Sequence, residues 1–266
     1  MNKIFDPKRF VSYLGYDLRS AWNNYGVTFL IVAMLPLLVF VLNVIFGLLF
    51  EGVITPRDTN YSAMLFGIAA FIMIVSFSAR TYGQITDKKF GSSWVLLPAS
   101  VFEKFLSMLL ITCIVLPVCL VVVFGATDLL LSAVFPASYG PSLIGNPELN
   151  LPLDDSVGVH VNFPALLYIT FAVPMLAFTL GAVVFKKAKP AKTFLALMGI
   201  GFVLSSISMI LVHAGVLDSD KIESAMEAMT EDRLQHLINT WLNIPNLIAS
   251  LLLMCGLYFR LKTIKH

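Results

Sequence analysis

Six stretches of this chain contain no Asp, Glu, Lys or Arg: Ser20–Phe50, Asn60–Ala79, Phe105–Thr127, Val159–Phe185, Thr193–Leu217 and Leu234–Phe259. Each is long enough to supply the roughly 20 residues that a helix needs to cross a hydrocarbon core about 30 Å thick. With polar ends trimmed, the runs predict spans near 27–49, 61–82, 105–130, 163–185, 193–214 and 241–259. Helix is the required conformation, because an unpaired backbone amide in lipid costs several kcal/mol and an open sheet edge would expose many. A transmembrane β-barrel is disfavoured, since the runs lack apolar–polar alternation of period two. Pro36, Pro117 and Pro174 fall inside spans, where they kink a helix without ending it. The sixth run is the most interrupted, by Asn239, Asn243, Pro245 and Asn246, so its helix is expected to start near Trp241 or to bend. The expected fold class is therefore an all-α polytopic membrane protein with six transmembrane helices.

Charge orients that model. If the chain crosses six times, fifteen of its basic residues fall on one side, among them Lys3, Lys8, Arg9, Arg19, Arg80, Lys88, Lys89, Lys104, Lys186, Lys187, Lys189, Lys192, Arg260, Lys262 and Lys265, against Arg57, Lys221 and Arg233 on the other. The positive-inside bias predicts both termini on the cytoplasmic side (N-in/C-in). The opposite side gathers acidic residues, including Asp154, Asp155, Asp218, Asp220 and Glu223. The start does not read as a cleaved signal peptide: its apolar run is too long and too far from Met1, with no small-x-small site after it.

Outside the spans, residues 1–26 are expected to hold a cytoplasmic amphipathic helix lying on the membrane surface, with Phe10, Leu14, Leu18 and Trp22 as its apolar stripe. Residues 27–259 form the six-span domain and 260–266 a basic tail. Between spans two and three, the polar run Asp87-Lys88-Lys89-Phe90 leads to the apolar patch Trp94–Leu97 and Pro98. Ser100 and Glu103 then have the S-x-x-E spacing of a capping box, which predicts a helix beginning just after Ser100 with Lys104 at headgroup level. Two readings of this loop stand side by side: a well-capped helix start, and a short docking element for a cytoplasmic partner. Phe135–Asn162 reads as a loop rich in proline and glycine. Ile222, Met226 and Met229 could form one face of an exterior helix before span six.

Several chemistries find no support. The chain has no GxxxxGK[ST] phosphate loop, HExxH or GxSxG, so no catalytic, cofactor-binding or metal-binding residue is nominated. His160, His213, His236 and His266 are scattered, and Cys113, Cys119 and Cys255 sit in apolar runs without a C-x-x-C pair. The cytoplasmic lysines are explained by topology, without nucleic acid. Asp128 is the one acidic candidate within a span, and no basic partner is evident for it. Asn43, Thr170, Thr179, Ser205, Ser206 and Ser208 read as interhelical contacts, with Gly199 and Gly201 permitting close packing.

The amphipathic start Phe10–Trp22, the six-run layout, the string WVLLPASVFEK at Trp94–Lys104, the outside helix before span six and the tail YFRLKTIK at Tyr258–Lys265 together resemble the permease subunits of type-2 ABC transporters, in particular small Bacteroidetes members. That resemblance implies a multi-pass protein of the bacterial inner membrane. It implies two permease subunits, as a homo- or heterodimer, on a separate cytoplasmic ATPase that binds the ATP. Export or flipping of a lipid or other solute is the implied direction. The ATPase-coupling region would then comprise Asp87, Lys88, Lys89, Phe90, Trp94 and Glu103. No substrate residue can be carried over, and a nontransport membrane scaffold or sensor is the alternative.

Overall fold

The computed structural model of the chain describes residues 5–51, 59–86, 94, 96–143, 171–213 and 231–264. All regular structure among them is helical. Helix α1 spans Pro7–Phe46 and α2 Thr59–Thr81, the latter followed by a 3-10 turn at Gly83–Thr86. Helices α3 (Val101–Leu110) and α4 (Leu116–Val134) join through a π-helical turn at Ile111–Val115 into one rod. A short α5 (Pro136–Tyr139) follows, then α6 (Val173–Val184), α7 (Lys189–His213) and α8 (Glu231–Thr263).

Among the described residues, five helical rods are long and apolar enough to cross a bilayer: Pro7–Phe50, Ser62–Thr86, Val101–Val134, Lys189–Ile210 and Asn243–Thr263. They coincide with five of the six expected spans. The remaining one is represented by the apolar 12-residue α6, while residues 163–170 of that expected span lie outside the described residues. Aliphatic and aromatic side chains face outward along these rods, for example Leu30, Leu38, Val122, Phe202 and Leu252. Water-soluble monomers rarely expose contiguous apolar patches beyond a few hundred Å². Hydrocarbon accommodates such a surface, and the fold is that of a polytopic membrane protein.

The amino-terminal region differs from expectation. Residues 7–26 are not a separate surface helix; they are the first half of α1, which runs 40 residues without a break. Its start is set locally. Asp6 accepts from the Lys8 amide at 3.0 Å, and Pro7 occupies the first turn, where a missing N–H is harmless. Nothing at residues 22–27 ends the helix: the Trp22 ring packs over Gly26, and no proline intervenes. The buried seam is also continuous, passing Tyr13, Asp17, Ala21, Tyr25, Phe29, Val32, Pro36 and Phe40. The expected stripe is rotated away from it, leaving Trp22 63% exposed.

Pro117 is accommodated in its rod without ending it. A proline cannot donate to the carbonyl four residues back, and its ring crowds that carbonyl. The chain widens by one residue in the preceding turn, where the Leu116 amide bonds to the Ile111 carbonyl. In α8, Pro245 is likewise accommodated, so the last helix begins at Glu231, before the expected 241. The proposed exterior helix around Ile222, Met226 and Met229 lies outside the described residues.

Helix α6 is the central element, touching α2, α7 and α8 and burying Met175, Leu176, Phe178 and Val183. Helix α1 packs on α4, α2 and α3. The core that results is aromatic and sulfur-rich: Tyr25 meets Phe77 edge-on at 5.2 Å, Phe66 meets Phe124 at 5.2 Å, and Met73, Met108 and Met175 are fully buried. Helix α7 stands at the margin against α6 and α2, with Gly199 and Gly201 facing open space. Ser205, Ser206 and Ser208 bond to carbonyls of their own helix, and the interhelical contacts expected of them are not found among the described residues. Thr179 does make one, to Ser78 at 3.3 Å.

Cross-contacts bring six helix ends together. Arg9 at the start of α1 reaches Glu103 at the start of α3; Thr86 after α2 meets the Phe185 carbonyl after α6; Lys189 at the start of α7 donates to the Gly83 carbonyl; Phe105 meets Tyr258 near the end of α8 at 5.6 Å. The start of the first helix and the end of the last thus share one end of the bundle.

Candidate functional site

The densest polar network among the described residues lies at that shared end and is centred on Glu103. The capping box expected from sequence is present. The Glu103 amide donates to Ser100 Oγ at 3.2 Å, and the Ser100 amide donates to Glu103 Oε2 at 2.8 Å. Pro98 and the bend at Leu97–Ala99 isolate this start from the preceding segment, so α3 begins at Val101 as predicted.

The capping carboxylate has a second task that local spacing does not reveal. Arg9 Nε lies 2.8 Å from Glu103 Oε2 and Arg9 Nη2 lies 2.7 Å from Oε1, a forked ion pair between residues 94 positions apart. The Asp6 amide donates to the same Oε1 at 2.9 Å. Glu103 is fully buried, whereas the Arg9 side chain is 39% exposed. One carboxylate therefore caps α3 and also holds the first turn of α1. A buried carboxylate is tolerated only when its lone pairs are filled in this way.

Adjacent residues extend the clamp on both sides. Lys104, expected at headgroup level, is buried: its Nζ donates to the Trp94 carbonyl at 2.7 Å and stands 4.5 Å above the Trp94 ring. The WVLLPASVFEK segment is thereby folded back on its own helix, with the Trp94 ring packed against the core. Leu96, between these anchors, is left 82% exposed. Two turns further into the bundle, Asp17 of α1 accepts from Ser107 Oγ of α3 at 2.8 Å and from Tyr82 Oη at 3.4 Å. Asp17 is a buried acid within the stretch expected to form the surface helix.

Of the residues nominated for coupling, Asp87, Lys88, Lys89 and Phe90 lie outside the described residues. Trp94 and Glu103 are brought together through Lys104 and the helix start. Glu103, however, points inward, so its carboxylate holds the segment and does not face a partner. Arg9, Asp17 and Lys104 complete the arrangement and were not nominated. Their one sequence signal is a set of polar residues at otherwise apolar helix faces.

Asp128, the acid without an evident basic partner, is also internally satisfied. It accepts from Tyr139 Oη at 2.5 Å and from the Leu143 amide at 2.7 Å, pinning the segment after α4 back on that helix. That segment turns at Gly140, whose φ of 92° favours glycine, and Ser132 Oγ donates to its carbonyl at 2.9 Å. Among the described residues no group of His, Cys, Asp and Glu side chains is arranged to hold a metal ion, and the three cysteines are free. The network can transmit position: it ties two helix starts and one connecting segment into a unit. Comparison with protein-family models, with curated proteins and with solved structures returns no match to this chain.

Proposed function

We propose that this chain is the permease subunit of an ATP-driven transporter, with six crossings, cytoplasmic termini and a separate cytoplasmic ATPase as its motor. The observation that carries the reading is the Trp94–Lys104 segment, which presents Leu96 outward while Lys104 and Glu103 tie it to α3 and Arg9 ties it to α1. A partner pressing on this segment would move the starts of both rods together, which is what a coupling loop must do. The chain contains no phosphate loop of its own, in keeping with ATP being bound by another subunit. The exposed flank of α7 would suit a second permease subunit or lipid. Export or flipping across a bacterial inner membrane is the direction we favour, by the family resemblance of the coupling string.

The test is recovery of the partner. Solubilisation of the chain in mild detergent should retain a separate ATPase. Leu96→Asp, or Lys88→Glu with Lys89→Glu, should reduce its recovery severalfold without loss of membrane insertion, by analogy with the energetics of central interface residues. Reconstitution with that ATPase should then give ATP-dependent movement of a lipid or solute. Stable protein that repeatedly retains no ATPase, or a reconstituted pair with no transport, would leave the scaffold reading standing instead.

A further inference from the structure

A groove of about 510 Å³ opens at the shared end of the bundle, beside the clamp but separate from it. Its lining comes from four parts of the fold: Asn24 of α1, Arg80 in the last turn of α2, Gly83 and Gln84 of the following turn, and Lys186 and Lys189 around the start of α7. Three cations converge here, and no carboxylate lines the groove among the described residues. Lys189 is fixed by its bond to the Gly83 carbonyl, whereas Arg80 and Lys186 have exposed side chains. The α6–α7 connection turns at Ala188, with φ of 49°, which sets Lys186 beside the start of α7.

Position supplies the rest of the argument. The groove sits where the apolar helices α2 and α6 end and α7 begins, at the boundary between apolar and polar surface. Below Arg80, one helical face of α2 carries Ile72, and below Pro190 one face of α7 carries Phe194; both are exposed. A ligand held by the cations would therefore have apolar walls beneath it. The volume lies within the roughly 300–1,000 Å³ of ligand sites in general.

We propose that this groove is a binding site for the phosphate headgroup of an anionic membrane phospholipid. Arg80 and Lys186 contact the phosphate, Asn24 and Gln84 serve the glycerol hydroxyls, and the acyl chains descend along α2 and α7. The site requires only that the chain be embedded in a bilayer, and it stands whether or not the chain belongs to a transporter.

The test uses the full chain in detergent, titrated with dioctanoyl phosphatidylglycerol, dioctanoyl phosphatidylcholine or inorganic phosphate, and read by thermal stabilisation and by native mass spectrometry of retained lipid. Phosphatidylglycerol should bind and phosphatidylcholine should not. The pair Arg80→Gln/Lys186→Gln should weaken phosphatidylglycerol binding by about tenfold, and a control pair, Lys8→Gln/Lys262→Gln, by less than about twofold. Arg80→Lys/Lys186→Arg should keep the affinity, which separates lost charge from lost structure. Equal binding of both lipids, an equal loss in the control pair, or no loss in the groove pair overturns the site. Inorganic phosphate that binds as tightly as the lipid overturns its assignment to a membrane ligand.

Discussion

At Glu103, one side chain answers to two helices, and a double-mutant cycle separates the two duties. Glu103→Gln keeps an acceptor for the Ser100 amide but removes the charge facing Arg9, whereas Arg9→Gln removes the fork and leaves the capping box. Each single change should destabilise the protein: Arg9→Gln leaves the buried Glu103 carboxylate without its fork, and Glu103→Gln leaves the guanidinium without its counter-charge. Arg9 is partly exposed, so the loss should be larger for Arg9→Gln, which strands the buried group. The double variant should cost less than the sum of the two, measured by denaturant unfolding in mixed micelles. Strict additivity would mean that the two groups are neighbours without being partners. The capping half of this site was legible in the sequence because its residues are three apart and the box is a local pattern. The ion pair and the Asp17–Ser107 bond were not, because no helical periodicity relates positions 94 or 90 residues distant.

Between elements, α6 and α7 approach closely at one point. Gly181 faces Thr193, and a Cβ added at Gly181 would collide with the Thr193 Oγ1, Cγ2 and Cβ atoms. Thr193 is buried and bonds to the Lys189 carbonyl at 2.8 Å, so it cannot simply rotate aside. Gly181→Ala should therefore destabilise by about 1–3 kcal/mol through overpacking, seen as a lowered thermal transition in detergent. Adding Thr193→Ala, which removes the two outer atoms, should recover part of the loss. An unchanged transition for Gly181→Ala would show that the helices are farther apart than described. The existence of both helices was readable from charge-free runs, since length and apolarity are properties of each segment alone. Their contact depends on which faces meet, and neither helix has a polar side distinct enough to announce it. The merging of the expected surface helix into α1 has a related cause. Polar residues such as Arg19, Asn23 and Asn24 set off the apolar run that follows, but they are compatible with helix and do not mark where the helix ends.

For the molecule as a whole, the length of α1 makes a claim about depth. Forty residues rise about 60 Å, twice the thickness of a hydrocarbon core. About half of this rod must stand outside the apolar layer. In a background where Cys113, Cys119 and Cys255 are replaced by Ala, single cysteines at Val11 and Tyr16 should react with a membrane-impermeant maleimide, and those at Leu30 and Leu38 should not. All four side chains are exposed on the protein surface, so a difference reports the surrounding medium. Uniform labelling of the four positions in native vesicles would contradict embedding of the rod.

The span of chain between Arg9 and Glu103 also bears on biogenesis. At about 5–20 residues per second, a ribosome covers the 94-residue separation in about 5–19 seconds. Throughout that interval the guanidinium must wait, solvated, while two further hydrophobic segments pass through the insertion machinery. When Glu103 emerges, its pairing with Arg9 fastens the earliest helix to the newest one. A nascent chain halted before Ser100 would hold α1 through α2 alone, without this clamp, and quality-control proteases would meet it in that state.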